Sequence, residues 1–123
     1  MMKLDHLNIS VSNYAISRDW YVRYLGLRVE FENIEAGVGG LSGDGDVELI
    51  LTPGKPSSRE RDCELSFQCD SVDGKYHELS ALGLSFVHPP MNVVWGYGTE
   101  LRDPDGYAVR LWDKTTMPGY KEK

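Results

Sequence analysis

One pattern occurs twice along this chain, and that repeat constrains the fold more than any other feature of the sequence. Residues 4–11, LDHLNISV, alternate Leu7, Ile9 and Val11 with His6, Asn8 and Ser10, the period of two expected of a half-buried strand. From 13 to 25 the spacing turns helical: Ile16, Trp20 and Tyr24 form one row, and Ser17, Tyr21 and Leu25 the next. Ser12 or Asn13 suits the helix start, and Gly26 suits a left-handed stop. Three strand-like stretches follow at 28–34, 37–42 and 46–52, separated by turn chemistry such as Gly43-Asp44-Gly45-Asp46. Together they make a βαβββ unit.

Residues 53–61, PGKPSSRER, are polar with two prolines and read as a surface linker. The pattern then restarts. Glu64 to Cys69 alternates as the first strand does, and Val72, Tyr76, Leu79 and Leu82 recur at helical spacing behind Asp70 or Ser71. Leu82-Gly83-Leu84 repeats Leu25-Gly26-Leu27. Strands at 85–88, 98–102 and 107–113 complete the second unit, with Asp103-Pro104-Asp105-Gly106 as a turn. The predicted fold class is α+β, one domain of two βαβββ modules: about 3–52, a linker at 53–61, about 62–113, and a polar tail at 114–123.

Composition narrows the function classes. A length of 123 residues matches a single domain. Thirteen Lys and Arg against nineteen Asp and Glu give a net charge of -6, which repels phosphate backbones and anionic lipid, so neither nucleic acid nor a membrane is an expected partner. Lys3, Arg18, Arg23 and Arg28 form no basic patch interleaved with aromatics. No apolar run approaches the roughly 20 residues of a membrane helix, and the start, MMKLDHLNIS, lacks the apolar core of a signal peptide. The expected location is cytoplasmic. Cys63 and Cys69 fall six residues apart in one predicted strand, roughly 20 Å, too far to pair with each other, so both are expected to be reduced, buried thiols.

With these residues laid out, the chain resembles the glyoxalase/bleomycin-resistance/dioxygenase, or vicinal oxygen chelate, superfamily over about residues 3–113. The resemblance rests on LDHLNISV, WYVRYLGLRV, LSFQCDSVD and WGYGTELRDPDGYAVRLW, taken in this order and spacing. It implies a curled mixed sheet around a trough with helices outside, a small-molecule ligand and a homodimer.

Matching the modules strand by strand sets His6 against Glu64, and Glu48, in Val-Glu-Leu, against Arg110, in Val-Arg-Leu. Alternation assigns Leu7, Ile9, Val47, Leu49, Leu65, Phe67, Val109 and Leu111 to the helix-covered face. His6, Asn8, Glu48, Glu64, Ser66, Arg110 and Trp112 take the other. By resemblance, the four matched positions are where metal-dependent members hold a divalent ion. His6, Glu48 and Glu64 are then candidate metal ligands, with Glu48 or Glu64 as a catalytic proton shuttle. Arg110 departs from that pattern, because a guanidinium only donates and is always charged.

Three readings of these residues stand side by side. In the first, a metal-dependent lyase, isomerase or dioxygenase uses the ion as a Lewis acid on vicinal substrate oxygens. In the second, a metal-free binding protein for an antibiotic or toxin holds its ligand through Arg110, with Asn8, Trp95, Tyr97 and Trp112 as further contacts. In the third, Arg110 lies between Glu48 and Glu64 in a structural ion-pair cluster. His77 is expected at the surface and His88 at a strand end before Pro89-Pro90.

Overall fold

The structure, a computed structural model, describes residues 1–58, 62–94 and 96–116. It comprises two compact units, Met1–Asp62 and the chain from Cys63 onward. In the first, β1 (His6–Val11), α1 (Tyr14–Leu25), β2 (Arg28–Asn33), β3 (Val38–Ser42) and β4 (Glu48–Pro53) follow in order. In the second come β5 (Glu64–Gln68), α2 (Val72–Ala81), β6 (Phe86–Val93), β7 (Gly96–Arg102) and β8 (Ala108–Trp112). The duplicated α+β architecture expected from the repeat is therefore present. Each unit holds an open four-stranded mixed sheet, ordered β1-β4-β3-β2 and β5-β8-β7-β6, in which only the β1–β4 and β5–β8 pairs are parallel.

Local chemistry accounts for the helix ends. Asn13 is the N-cap of α1, its side chain accepting from the Ile16 N–H at 3.1 Å, and Ser71 does the same for α2 with Gly74 at 3.0 Å. Gly26 stops α1 at φ 72, where a Cβ would be strained. The N-terminus of α2 has a second acceptor: the buried Asp113 takes the Val72 N–H at 2.7 Å.

The helices cover one face of each sheet, against Ile9, Val11, Leu41, Leu49 and Leu51 in the first unit and Leu65, Leu101, Val109 and Leu111 in the second. On α1 the inward row is Tyr14, Ser17 and Tyr21. Ile16 lies exposed, and Trp20 packs edge-on against Tyr21 and Tyr24 along the flank, so the Ile16 row is not the buried one. Gly39 makes room for Tyr14, whose hydroxyl lies 2.0 Å from where a Cβ would stand and donates to Glu32 at 2.7 Å.

Three expectations need correction. Leu7, expected in the core, is 40% exposed. Its row reads Leu7 40%, Leu49 7%, Leu41 0%, Val29 40%, so burial falls away toward the two edge strands, which have a neighbour on one side only. Val47, just before β4, is exposed as well. Finally, His88 sits within β6 and not at a strand end, because the strand runs on through Pro89 and Pro90. It can do so as an edge strand, where a missing N–H costs no ladder bond, and its register shifts on both sides of His88.

Candidate functional site

The face of each sheet away from its helix carries the polar residues, and strand register decides which of them are neighbours. In the first unit His6 opposes Glu48 and Asn8 opposes Ile50 on parallel strands, while Gly40 opposes Ile50 and Phe31 opposes Gly40. One row therefore reads Asn8, Ile50, Gly40, Phe31, with His6 and Glu48 beside it. In the second unit the row is Ser66, Arg110, Glu100, His88.

These pairings revise the match between modules. With His6 and Glu64 equivalent, Glu48 corresponds to Ala108, which opposes Glu64, and Arg110 corresponds to Ile50. Glu48 and Arg110 are thus two residues out of step.

In the second unit Arg110 lies between two carboxylates, with Nη1 paired to Glu64 and Nε donating to Glu100 Oε1 at 3.1 Å. The other oxygen of Glu100 meets Arg102 Nη2 at 3.2 Å. The result is an alternating chain, Glu64, Arg110, Glu100, Arg102, across the open face. Its members differ in exposure: the Glu100 side chain is 12% exposed and that of Glu64 47%. The ion-pair reading of Arg110 therefore gains Glu100, a partner that sequence reasoning missed. Glu100 shares the polar phase of Gly98, Glu100 and Arg102, but only strand pairing brings it to Arg110.

In the first unit His6 Nδ1 sits 3.0 Å from Asp5 Oδ2, and this hydrogen bond, against a weaker opposing effect of burial, holds the Asp5 carboxyl below its usual value. Glu48 reaches across the sheet over Gly40. A Cβ on Gly40 would lie 2.0 Å from Glu48 Oε1 and 2.4 Å from Phe31 Cε1, so the acid and the ring edge share the space that glycine leaves. Among the described residues, Glu48 Oε1 is buried with no hydrogen-bond partner.

Of the other expected contacts, Asn8 and Trp112 lie on open faces, Trp112 opposite Gln68 and Gly98. Tyr97 does not: its hydroxyl donates to Asp73 of α2, which pushes the phenol pKa up and ties the ring to the helix side. Trp95 lies outside the described residues. Cys63 and Cys69 are both free thiols, but the expectation of burial fails at Cys63, which is exposed just before β5.

Taken unit by unit, the residues present do not fit a divalent ion. The Glu64 carboxylate is engaged by a guanidinium, Ile50 stands at the position matching Arg110, and among the described residues no group of three His, Cys, Asp or Glu side chains is gathered to hold a metal.

Two βαβββ units with helix-covered cores and polar open faces define a duplicated α+β protein. The chain belongs to the Glyoxalase/Bleomycin resistance protein/Dioxygenase superfamily, whose model matches residues 3–111. No curated protein matches its sequence. Among solved structures it is similar to TnmS3, an antibiotic binding protein from Streptomyces sp. CB03234, at 23% identity and a TM-score of 0.77, over 92% of this chain and 96% of that one. It is also similar to a possible glyoxalase from Bacillus cereus at 22% identity and TM-score 0.76, over 90% and 98%. A third, lactoylglutathione lyase from Agrobacterium tumefaciens, shares 15% identity at TM-score 0.72, over 90% and 92%. At these identities the likeness establishes the fold.

Proposed function

We propose that this chain is a metal-independent small-molecule-binding protein that takes an anionic group of its ligand at Arg110. The observation supporting this reading is the setting of Arg110 between an almost enclosed Glu100 and a half-exposed Glu64. Glu100 fixes the guanidinium plane. Glu64 is the partner that a ligand carboxylate or phosphate displaces, since the planar fork binds either oxyanion in the same geometry. The fold hosts binding proteins and enzymes alike, and both occur among the similar structures, so the site and not the fold carries the reading. A homodimer belongs to it as well, because the edge strands β1 and β2 carry exposed Leu7 and Val29 that a second copy would cover.

Titration calorimetry with phenylacetate tests the anion site. Wild type binds it, Arg110→Gln weakens binding about tenfold or more, equivalent to about 1.4 kcal/mol, and Glu64→Gln strengthens it. Parallel titrations with zinc, manganese and nickel address the metal-dependent alternative, which requires His6, Glu48 and Glu64 on one ion. Binding at micromolar affinity or tighter, lost in His6→Ala, would favour that alternative and sink the metal-independent reading.

A further inference from the structure

Glu48, on β4 of the first unit, raises the sharper chemical question. A carboxylate oxygen held away from water without a donor forfeits hydrogen bonds it would keep in solution, and a flexible glutamate has every opportunity to turn outward. Here the sheet is shaped to receive it. Gly40 opposes Ile50 and lacks the side chain that would fill the notch, and Glu48 Oε1 and the Phe31 ring edge both lie within 2.4 Å of where that Cβ would stand. Ile50 and Phe31 make the immediate surroundings apolar, while the Phe31 ring is itself half exposed and able to receive a ligand.

We infer that Glu48, Phe31 and Gly40 form a receptor for an organic cation, the protonated amine of a small apolar or aromatic molecule. One force selects positive charge at this notch: the carboxylate supplies a charge-assisted acceptor for an ammonium N–H. The Phe31 ring turns its edge to the notch and supplies an apolar wall beside the acid. The apolar body of the ligand covers Ile50 and the ring. The basic residue on the strand of Phe31, Arg28, is drawn off to Glu30, Asp44 and the Gly43 carbonyl. A net charge of -6 adds a long-range pull on cations.

This inference deepens the small-molecule reading but stands on a different residue of a different sheet, so the two fail separately. The experiment titrates the full chain with three probes of one shape: phenethylamine, phenethyl alcohol and phenylacetate. Phenethylamine is expected to bind at least fivefold tighter than phenethyl alcohol, and Glu48→Gln to abolish that preference while leaving the phenylacetate affinity, which reports Arg110, unchanged. Gly40→Ala, whose methyl would stand 2.0 Å from Glu48 Oε1, displaces the acid and reduces the same preference, and it carries the test should Glu48→Gln fail to fold. Equal binding of amine and alcohol, no amine binding at millimolar concentration, or a preference that survives both substitutions overturns the cation receptor whatever phenylacetate does.

Discussion

Arg110 and Glu100 face each other directly across β8 and β7, with the guanidinium Nε donating to the carboxylate at 3.1 Å, and Glu100 hands its second oxygen to Arg102. The pairing turns a departure from a metal-binding pattern into a local necessity. Two acids, Glu64 and Glu100, converge on this part of the open face, and Arg110 is the cation that lets them.

Removing that cation should cost stability. Arg110→Ala leaves Glu64 and the nearly enclosed Glu100 without their shared donor, and a loss of about 1–3 kcal/mol is expected once solvent screening at Glu64 is allowed for. The double variant Arg110→Ala with Glu100→Gln should recover part of it, because the charge left unpaired is gone. Urea unfolding of wild type, Arg110→Ala, Glu100→Gln and the double variant measures the coupling, and an Arg110→Ala midpoint equal to wild type would remove the structural role.

The two neighbouring glycines of β3 should respond unequally to alanine. At Gly39 a methyl meets the Tyr14 hydroxyl at 2.0 Å and the ring carbons at 2.5 and 2.7 Å, inside a packed helix contact that has no slack. Overpacking of this kind costs about 1–3 kcal/mol. At Gly40 the obstacles are the tip of Glu48 and an exposed phenylalanine, both able to move. Thermal melts should therefore rank Gly39→Ala below Gly40→Ala, and the reverse order would contradict the packing described.

Asp113 makes the fold sensitive to acid. Burial pushes its carboxyl up, but hydrogen bonds from Thr116, Val72 and Thr115 outweigh it and hold the group below its usual value. A depressed folded value means that the stabilisation is complete above the unfolded value, near 3.8, and is lost as pH falls through the folded one. Between about pH 5 and pH 2, wild type should lose stability more steeply than Asp113→Asn, which has no proton to gain. At neutral pH the variant should already be weaker by about 1–2 kcal/mol, the usual cost of a lost helix cap. Parallel slopes would show that Asp113 does not titrate with folding.

The two thiols should be distinguishable by reaction rate. Cys63 is exposed, whereas burial, reinforced by the nearby Asp113 charge, pushes the Cys69 thiol up, and its sulfur sits 3.6 Å from the Trp112 carbonyl. Under native conditions a disulfide reagent should modify Cys63 first and Cys69 slowly, reaching two thiols per chain only in denaturant. A single fast phase of two thiols would mean that Cys69 is open to solvent.

Much of this protein was legible from local chemistry. Asn13, Ser71 and Gly26 mark helix ends because a cap or a left-handed stop is a property of a few adjacent residues. Alternation alone separated Ile9 and Leu65 from His6 and Glu64, because successive side chains of a strand point to opposite faces. The same rule hides a shift of two residues, which leaves every side chain on its own face. Val-Glu-Leu and Val-Arg-Leu therefore looked equivalent, and only the pairing of β1 with β4 and of β5 with β8 revealed that Glu48 answers to Ala108 and Arg110 to Ile50. The tertiary structure likewise decided that Glu100 partners Arg110, that Gly40 makes room for Glu48, and that Leu7 escapes the core on an edge strand. The physical reason is the same in each case: a chain's periodicity records which face a residue takes, while hydrogen bonding between strands distant in sequence selects its neighbours on that face.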